Sequence, residues 1–469
     1  MLDLAIIVLY LGGMLAIGAY VYAKGQASSS DGFFVANRSG STPLILTSLC
    51  ATFIGASVVV GMTGRGYSMG LTGAWWLLVG AIGLILLGLF FARKVRRFGL
   101  YTLPELVEEQ YGPVAGLAAS VLIVVAWIAV IAAQIVAVEA ILTVVLPYDV
   151  SSWILMAIAA GVFVLYTGLG GQYSIIRTDF FQFGILVVGI LLAFGLVVAE
   201  VGGFGELYAS LTSSELASDH FSFPLGGGFG WYELVSLLVL TGCTYVVGPD
   251  IYSRLFCARD GDVARSSALM AGLVAIPIAF VVVFIGMGAR VLFPDISPGL
   301  AFPTVIEEVL PIGVGGLVAA ALLAAIMSSA DTVLLTTSTI LSQDVFRRVS
   351  PGMTEGQNLA VSRTGVILVG VLGLVVALEL KDIIGSLFLA YTIFTSGIVI
   401  PVIAGYFKNR LKVNSAGAIA AIIGGGGTAL AVDRLDVENL ELLGLGVCIV
   451  LLFGVSWIAR ITGLGFRET

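Results

Sequence analysis

Ser48-Leu49-Cys50-Ala51-Thr52-Phe53-Ile54-Gly55-Ala56-Ser57 lies inside a long apolar segment, yet it carries hydroxyls and a glycine where a plain lipid anchor would carry leucine. Glycine within a span loosens the helix and releases backbone carbonyls. Freed carbonyls are tolerated in a bilayer only where they face protein or a water-filled cavity. Further along, the same segment meets Gly61, Gly64 and Gly66. A second stretch, Thr241-Gly242-Cys243-Thr244-Tyr245-Val246-Val247-Gly248-Pro249-Asp250, has the same character, and Pro249 also removes a backbone donor. The two lie five apolar segments apart. An odd offset reverses direction in the membrane, so spans two to six and seven to eleven can form an inverted repeat with a midplane site where the interrupted helices meet. The plainer reading is that these glycines only let helices pack closely.

Thirteen apolar segments fill most of the 469 residues: about 2–23, 42–67, 73–92, 114–146, 151–168, 178–200, 231–254, 266–290, 303–342, 363–379, 384–406, 414–432 and 440–460. With 59% apolar residues, 11% charged residues and a mean hydropathy of +1.09, the chain has more apolar surface than one soluble core can hide. Spanning segments must satisfy their own backbone groups, so they are expected to be helices. The expected fold is an all-α polytopic membrane protein of 13 transmembrane helices with an inverted five-helix-repeat core, forming one membrane domain over 1–469. Within it, 1–41 is the first helix and a cytoplasmic loop, and 42–200 the first repeat. An external loop follows at 201–230, then the second repeat at 231–406 and two C-terminal helices at 407–469. A retained first helix fits better than a cleaved signal peptide.

With the N-terminus outside, all but four (Arg65, Arg290, Lys381 and Arg434) of the 22 Lys and Arg fall on the cytoplasmic side. That asymmetry fixes the expected orientation, with a short cytoplasmic C-terminus, in a plasma membrane of bacterial or archaeal inner-membrane type. No appended soluble domain is expected. The partners are then membrane lipid and a small polar solute. The functional unit is expected to be a monomer, and no basic tract points to nucleic acid. Cys50, Cys243, Cys257 and Cys448 have no metal-ligand spacing and are expected to be reduced and mostly buried.

The ninth segment carries Ala325-Ile326-Met327-Ser328-Ser329-Ala330-Asp331-Thr332. At helical spacing Ala325, Ser328, Ser329 and Thr332 cover one side, with Asp331 at its margin. One Ser or Thr in a span often just bonds the carbonyl a turn back, but a cluster with an embedded carboxylate asks for more. Asp331 in hydrocarbon must be protonated, paired, hydrated or near a cation. Hydroxyls and freed carbonyls are hard oxygen ligands, so Na+ as coupling ion can sit between the Ser328 and Ser329 hydroxyls and the Ala325, Ala51 and Ile54 carbonyls. Those groups come from two helices, so ion occupancy would couple to their relative movement. Asp179 follows Arg177 and Thr178 and is read either as a helix cap, as a control on the inner ion exit, or as part of a second cation site with Ser328, Asp331 and Thr332. Asp331 is alternatively read as a proton acceptor. Asp250 stands one turn before Arg254 and is read as its partner.

For the solute, Ser57, Gln134, Thr241, Thr244, Tyr245, Thr392 and Thr395 can exchange hydrogen bonds with a small polar molecule. Trp127 can frame the cavity, whereas interfacial anchoring is the first reading for Trp75 and Trp76. Against an enzyme, the lone His220 has no nucleophile or metal set beside it. Against ATP-driven transport, there is no phosphate-binding loop.

The chain resembles the sodium:solute symporter family, which includes carriers of proline, galactose and sialic acid. The resemblance runs over about 1–460 and rests on Asp31-Gly32-Phe33-Phe34-Val35-Ala36-Asn37-Arg38, on Gly61-Met62-Thr63-Gly64-Arg65-Gly66-Tyr67, on Gly170-Gly171 through Thr178-Asp179, and on Ala324-Ala325-Ile326-Met327-Ser328-Ser329. It implies a leucine-transporter-like core preceded by one helix and followed by two, and sodium-driven import by alternating access. It also implies a sodium site at Ala51, Ile54, Ala325, Ser328 and Ser329, with Asp179 as the inner aspartate. A second sodium would then involve Asp179 with Asp331 and Thr332, unless Asp331 turns the carrier to proton use. Phe53 and Val58 replace polar residues of the galactose type, and Phe53 also replaces the proline-type aspartate, so neither solute carries over.

Overall fold

The computed structural model describes residues 2–25, 28–145, 150–213, 219–379, 383–435 and 440–462. Every regular element among them is helical; the extended pairing amounts to isolated bridges such as Gly40 with Ala258. Eleven of these helices are long and apolar enough to cross a membrane, and the apolar Thr42–Phe53 is shorter. Local chemistry sets their ends. Asp260 accepts the N–H of Asp262 and Val263 to start Gly261–Leu292, and Thr354 forms a capping box with Gln357 to start Glu355–Ala377.

The two longest of the eleven fold back on themselves. Ser152–Val201 runs for 50 residues but holds Gly171 at φ 55, ψ −168. Tyr166 and Thr178 bring their hydroxyls within 2.5 Å of each other. Twelve residues of straight helix would separate them by about 18 Å, so the chain folds back at Gly171. Only glycine adopts that backbone readily, and an added Cβ would stand 2.6 Å from the Phe33 ring. This joins the segments expected at 151–168 and 178–200 directly, with the helix resuming at once. Asp179 therefore lies well inside the second arm, not at a helix start. Val58–Phe98 is the other long stretch, and it turns at Gly70, where φ is 66.

The break in the second segment falls where its sequence predicts, but is confined to two residues. Thr42–Phe53 ends at Ile54 (φ −98, ψ 49), Gly55 is extended (φ −64, ψ 156), and Ala56–Met69 then runs through Gly61, Gly64 and Gly66 without interruption. These later glycines serve packing. A Cβ on Gly66 would lie 2.5 Å from the Val283 carbonyl, and one on Gly64 2.7 Å from that of Pro298. The seventh segment breaks at Gly248 (φ −50, ψ 134), between Cys243–Val247 and Pro249–Cys257. The segment expected at 303–342 is divided into Ala301–Glu308 and Val314–Ile340, with Gly313 at φ 92 before the second.

Val314–Ile340 is the axis of the molecule. Its most apolar stretch is 94% buried, against 22% for Leu2–Val21. It packs against Thr42–Phe53, both arms of Ser152–Val201, Pro113–Val145 and Glu355–Ala377. Residues with little lipid contact can be polar, and this is where the hydroxyls and Asp331 sit.

Candidate cation and solute site

Thr42–Phe53 ends against the middle of Val314–Ile340, and the contact is polar. Ser329 donates its hydroxyl to the Ala51 carbonyl (3.3 Å) and the Thr52 carbonyl (3.1 Å). The break at Ile54 and Gly55 removes the helical donors those carbonyls would otherwise receive. The negative end of a helix dipole thus points at a hydroxyl-bearing face. Ala51, Ile54, Ala325, Ser328 and Ser329 are all buried. The Ser329 hydroxyl with the Ala51 and Thr52 carbonyls is a group of neutral hard oxygens of the kind a small cation prefers, whereas no such contact joins the Ile54 and Ala325 carbonyls to it among the described residues.

Ser328 faces a different partner. Its hydroxyl donates to Asp179 Oδ1 at 2.6 Å, while Ser48 donates to Oδ2. Arg254 completes the cluster: its Nη2 lies 3.3 Å from Asp179 Oδ2, and both side chains are fully buried. The same nitrogen donates to Thr52 Oγ1 at 3.3 Å and to Thr332 Oγ1. Thr332 in turn donates to the Ser328 carbonyl at 2.7 Å and stands 3.3 Å from the Thr52 hydroxyl. Arg254 thus pairs with Asp179 rather than with Asp250. An unpaired guanidinium in this environment would be strongly destabilising, and Asp179 supplies the charge that balances it.

Asp331 bonds outside the Asp179 and Thr332 cluster. Its Oδ1 accepts from Thr167 at 2.7 Å, whereas Oδ2 is buried without a hydrogen-bond partner. Of the residues read together from the sequence as a second cation site, Asp179 and Thr332 share Arg254 and Ser328 bonds Asp179, whereas Asp331 bonds Thr167.

The solute residues separate in the same way. The Thr244 and Thr395 hydroxyls stand 2.8 Å apart, and each lies within donating distance of the Leu240 carbonyl, so their two protons are shared among three contacts. Thr392 donates to the Phe388 carbonyl one turn back. Tyr245 approaches the Tyr391 hydroxyl at 3.4 Å and places its ring edge-on to Phe53, centroids 4.6 Å apart. Gln134 Oε1 and Thr241 Oγ1 are buried with no partner. The Ser57 side chain lies outside the described residues. An aromatic cluster closes this region and includes Trp127, which the sequence read as framing the cavity: Tyr391 stacks with Trp76 at 6.4 Å and packs against Trp127 at 6.5 Å. The indole N–H groups of both tryptophans are buried without acceptors. Trp76 is thus no interfacial anchor, whereas Trp75 does donate outward, to the Pro224 carbonyl at 2.8 Å.

Ser48, Thr52, Thr167 and Tyr391 were also missed as site residues. Ser48 and Thr52 are one helical turn apart on the approach to the break, a spacing that marks a shared polar face. Thr167 and Tyr391 give no comparable signal.

Buried neutral oxygens at a broken helix, facing a hydroxyl-rich central one, define a cation-coupled secondary transporter. The model of the sodium:solute symporter family matches residues 33–425, and the chain belongs to that family. It is 28% identical over 462 residues to the "Sodium/glucose cotransporter" of Vibrio parahaemolyticus, covering 90% of this chain and 83% of that one. It is 27% identical over 487 residues to the human "Sodium/myo-inositol cotransporter 2", covering 93% and 70%. It spans 62% of the length of "Sodium/glucose cotransporter 4" of Danio rerio, with 27% identity. Among solved structures it superposes on a Na+-coupled sialic acid symporter in a substrate-bound outward-open state with a TM-score of 0.82, 98% of each chain covered and 18% identity. A nucleobase-cation-symport-1 family transporter in a closed conformation gives a TM-score of 0.61 at 17% identity, covering 92% of this chain and 96% of that one. The fold is thus the leucine-transporter-like one. The protein is an integral membrane, sodium-coupled secondary transporter of small polar organic solutes, not an enzyme.

Proposed function

We propose that the chain imports its solute with sodium by alternating access, with sodium bound by the Ala51, Ile54 and Ala325 carbonyls and the Ser328 and Ser329 hydroxyls. The observation that carries this is the Ser329 hydroxyl on the carbonyls of Ala51 and Thr52. Sodium placed there takes the lone pairs that the Ser329 proton now occupies. It draws Thr42–Phe53 onto Val314–Ile340, so the outward-facing arrangement is stabilised by the ion and the solute together. The solute meets Gln134, Thr241 and Tyr245, with the Trp76 and Trp127 N–H groups as further donors, and Thr244, Thr392 and Thr395 at the margin; Ser57 remains a further candidate contact. The relatives' names put sugars and inositols first among candidate solutes.

The eleven long helices give thirteen crossings when the stretches folded at Gly70 and Gly171 each count twice. Repeats over 42–200 and 231–406 then place the breaks at Gly55 and Gly248 in equivalent positions. The N-terminus lies outside, the C-terminus is cytoplasmic, and one chain is the functional unit in a bacterial or archaeal inner membrane. A proton-coupled reading is favoured by a single observation, the partnerless Asp331 Oδ2.

Uptake by proteoliposomes, screened over sugars, polyols and small carboxylates, tests both. Accumulation that requires a sodium gradient at fixed pH supports the proposal. Accumulation driven by a pH gradient without sodium supports the alternative.

A further inference from the structure

We infer that the cavity edged by Ala92–Phe98, Leu103–Tyr111 and Lys408–Leu411 binds the headgroup of an anionic phospholipid that carries hydroxyls, of the phosphatidylglycerol kind. The inference goes beyond sodium coupling and holds whichever solute is carried. The cavity measures about 780 Å³ and is lined by four cations, Lys94, Arg97, Lys408 and Arg410, with one carboxylate, Glu109. Other arginines at this end of the bundle are paired: Arg93 with Asp262, Arg259 with Asp260 and Arg348 with Glu108. Among the described residues Lys94, Arg97 and Arg410 form no ion pair. Lys94 Nζ stands instead over the rings of Phe407 (5.3 Å) and Tyr406 (6.0 Å), and Lys408 Nζ over that of Tyr111 (5.9 Å). Ring faces hold an ammonium in place without neutralising it. The wall is thus built to meet a negative charge from outside the chain.

The apolar surroundings point to a lipid as the bearer of that charge. The stretch that carries Lys94 and Arg97 is part of the membrane-spanning Val58–Phe98, and it exposes Leu86, Leu89 and Phe90 just before them. Helical rise puts Lys94 about 6 Å beyond Phe90 and about 12 Å beyond Leu86. Phe98 and Phe407, also exposed, line the cavity itself. A free anion would leave that apolar surface bare. A phospholipid covers it with acyl chain while its phosphodiester lies among the cations, as in basic pockets at a membrane surface. Gln110 selects the headgroup. Its Nε2 donates to the Val402 carbonyl at 3.3 Å, while Oε1 is buried without a partner. The amide lies against Gly405, where an added Cβ would collide with it, and both residues line the cavity. An orphaned acceptor calls for a donor. A glycerol headgroup supplies hydroxyl donors; choline has none.

The test is native mass spectrometry of the purified full chain in uncharged detergent, titrated with phosphatidylglycerol, phosphatidylmethanol, phosphatidylcholine or inorganic phosphate. Phosphatidylglycerol is expected to bind at a saturable site, and phosphatidylcholine about tenfold more weakly or worse. Phosphatidylmethanol has the same charge without the headgroup hydroxyls, and is expected to bind about two- to tenfold more weakly. Arg97→Gln/Arg410→Gln removes two exposed cations and is expected to weaken phosphatidylglycerol binding about twentyfold. Arg93→Gln/Arg265→Gln removes as much charge from a separate cavity beside Asp262, and is expected to leave binding within about twofold. Equal affinity for phosphatidylcholine, or an equal loss in the two double variants, would overturn the site. Phosphate binding as tightly as the lipid would overturn a lipid as its occupant. Equal binding of phosphatidylmethanol would overturn the hydroxyl-bearing headgroup. Should the first variant fail to fold, the four ligands on the unmodified protein decide alone.

Discussion

Ser329 is the residue at which the two broken halves of the mechanism touch, and its hydroxyl makes a different claim from that of Ser328. Ser329 bonds backbone carbonyls of the second span; Ser328 bonds Asp179. Ser329→Ala removes one ion ligand and leaves the carboxylate cluster intact. Losing one hydrogen bond or ligand to a charged group costs about 1.5–3 kcal/mol, so sodium affinity is expected to fall roughly ten- to a hundredfold. Sodium-dependent thermal stabilisation measures this directly. Ser328→Ala is expected to weaken sodium binding and also to lower stability without sodium, since Asp179 loses a donor. Equal effects of the two substitutions in sodium-free buffer would contradict that division. At Asp331, Asn preserves size and polarity but not proton binding. Under sodium coupling Asp331→Asn is expected to keep sodium-driven uptake within about threefold, because Thr167 still has an oxygen to bond; its loss, with sodium binding intact, would favour the proton.

Among the helices, the turn at Gly171 and the close approach at Gly66 make opposite demands on the same residue type. Gly171 needs a backbone that only glycine adopts freely; Gly66 needs the absence of a side chain against Val283. Holding another residue in such a conformation costs about 1–3 kcal/mol. Gly171→Ala is therefore expected to lower the thermal midpoint in detergent, and more than Gly168→Ala, where an added methyl meets nothing within 4 Å. At the start of Gly261–Leu292, backbone N–H groups of Val263 and then Asp262, together with Arg259, hold the Asp260 carboxyl below its usual range. A depressed folded value means its capping contribution is present above the ordinary aspartate range near pH 4 and is lost as pH falls through the lower folded value. Hydrogen exchange at residues 262–265 is expected to speed up only on that acidic side, beyond the intrinsic pH dependence, and Asp260→Asn to abolish the extra change. These elements also show what the sequence can disclose. The interruption at Ile54–Gly55 and the hydroxyl face at Ser328 and Ser329 were legible, because glycine and clustered hydroxyls are costly in lipid. Gly61, Gly64 and Gly66 were ambiguous, because small residues serve both broken helices and tight packing. The Arg254–Asp179 pair was not legible: its members are 75 residues apart, and no periodicity links them. Asp250, one turn away, was the nearer but wrong partner.

At the scale of the whole molecule, burial and charge have to agree on one orientation. The central helix Val314–Ile340 is shielded from lipid on nearly every side, while Leu2–Ala23 and Leu443–Thr462 lie at the periphery. Basic residues crowd one end of the bundle. Lys94, Arg97, Lys408 and Arg410 line one surface cavity there, and Arg347 and Arg348 line another with Glu105 and Glu108. The opposite end has a cavity lined by Arg65, Glu139, Ser297 and Ile384. In the proposed orientation, which puts positive charge on the cytoplasmic face, the second cavity would be external and would be the path by which solute enters. Ser297 and Ser350 are both exposed; Ser297 lines the Arg65 cavity, and Ser350 follows the end of Val314–Val349. In a Cys243→Ala background, which removes the partly exposed native thiol, Ser297→Cys is expected to react with a membrane-impermeant maleimide in intact cells. Ser350→Cys is expected to react only after the membrane is opened. The reverse pattern would invert the topology and turn the Arg65 cavity toward the cytoplasm. Labelling of both residues in intact cells would mean that the segment between them does not cross, and the central position of Ser328 and Ser329 in the bilayer would go with it.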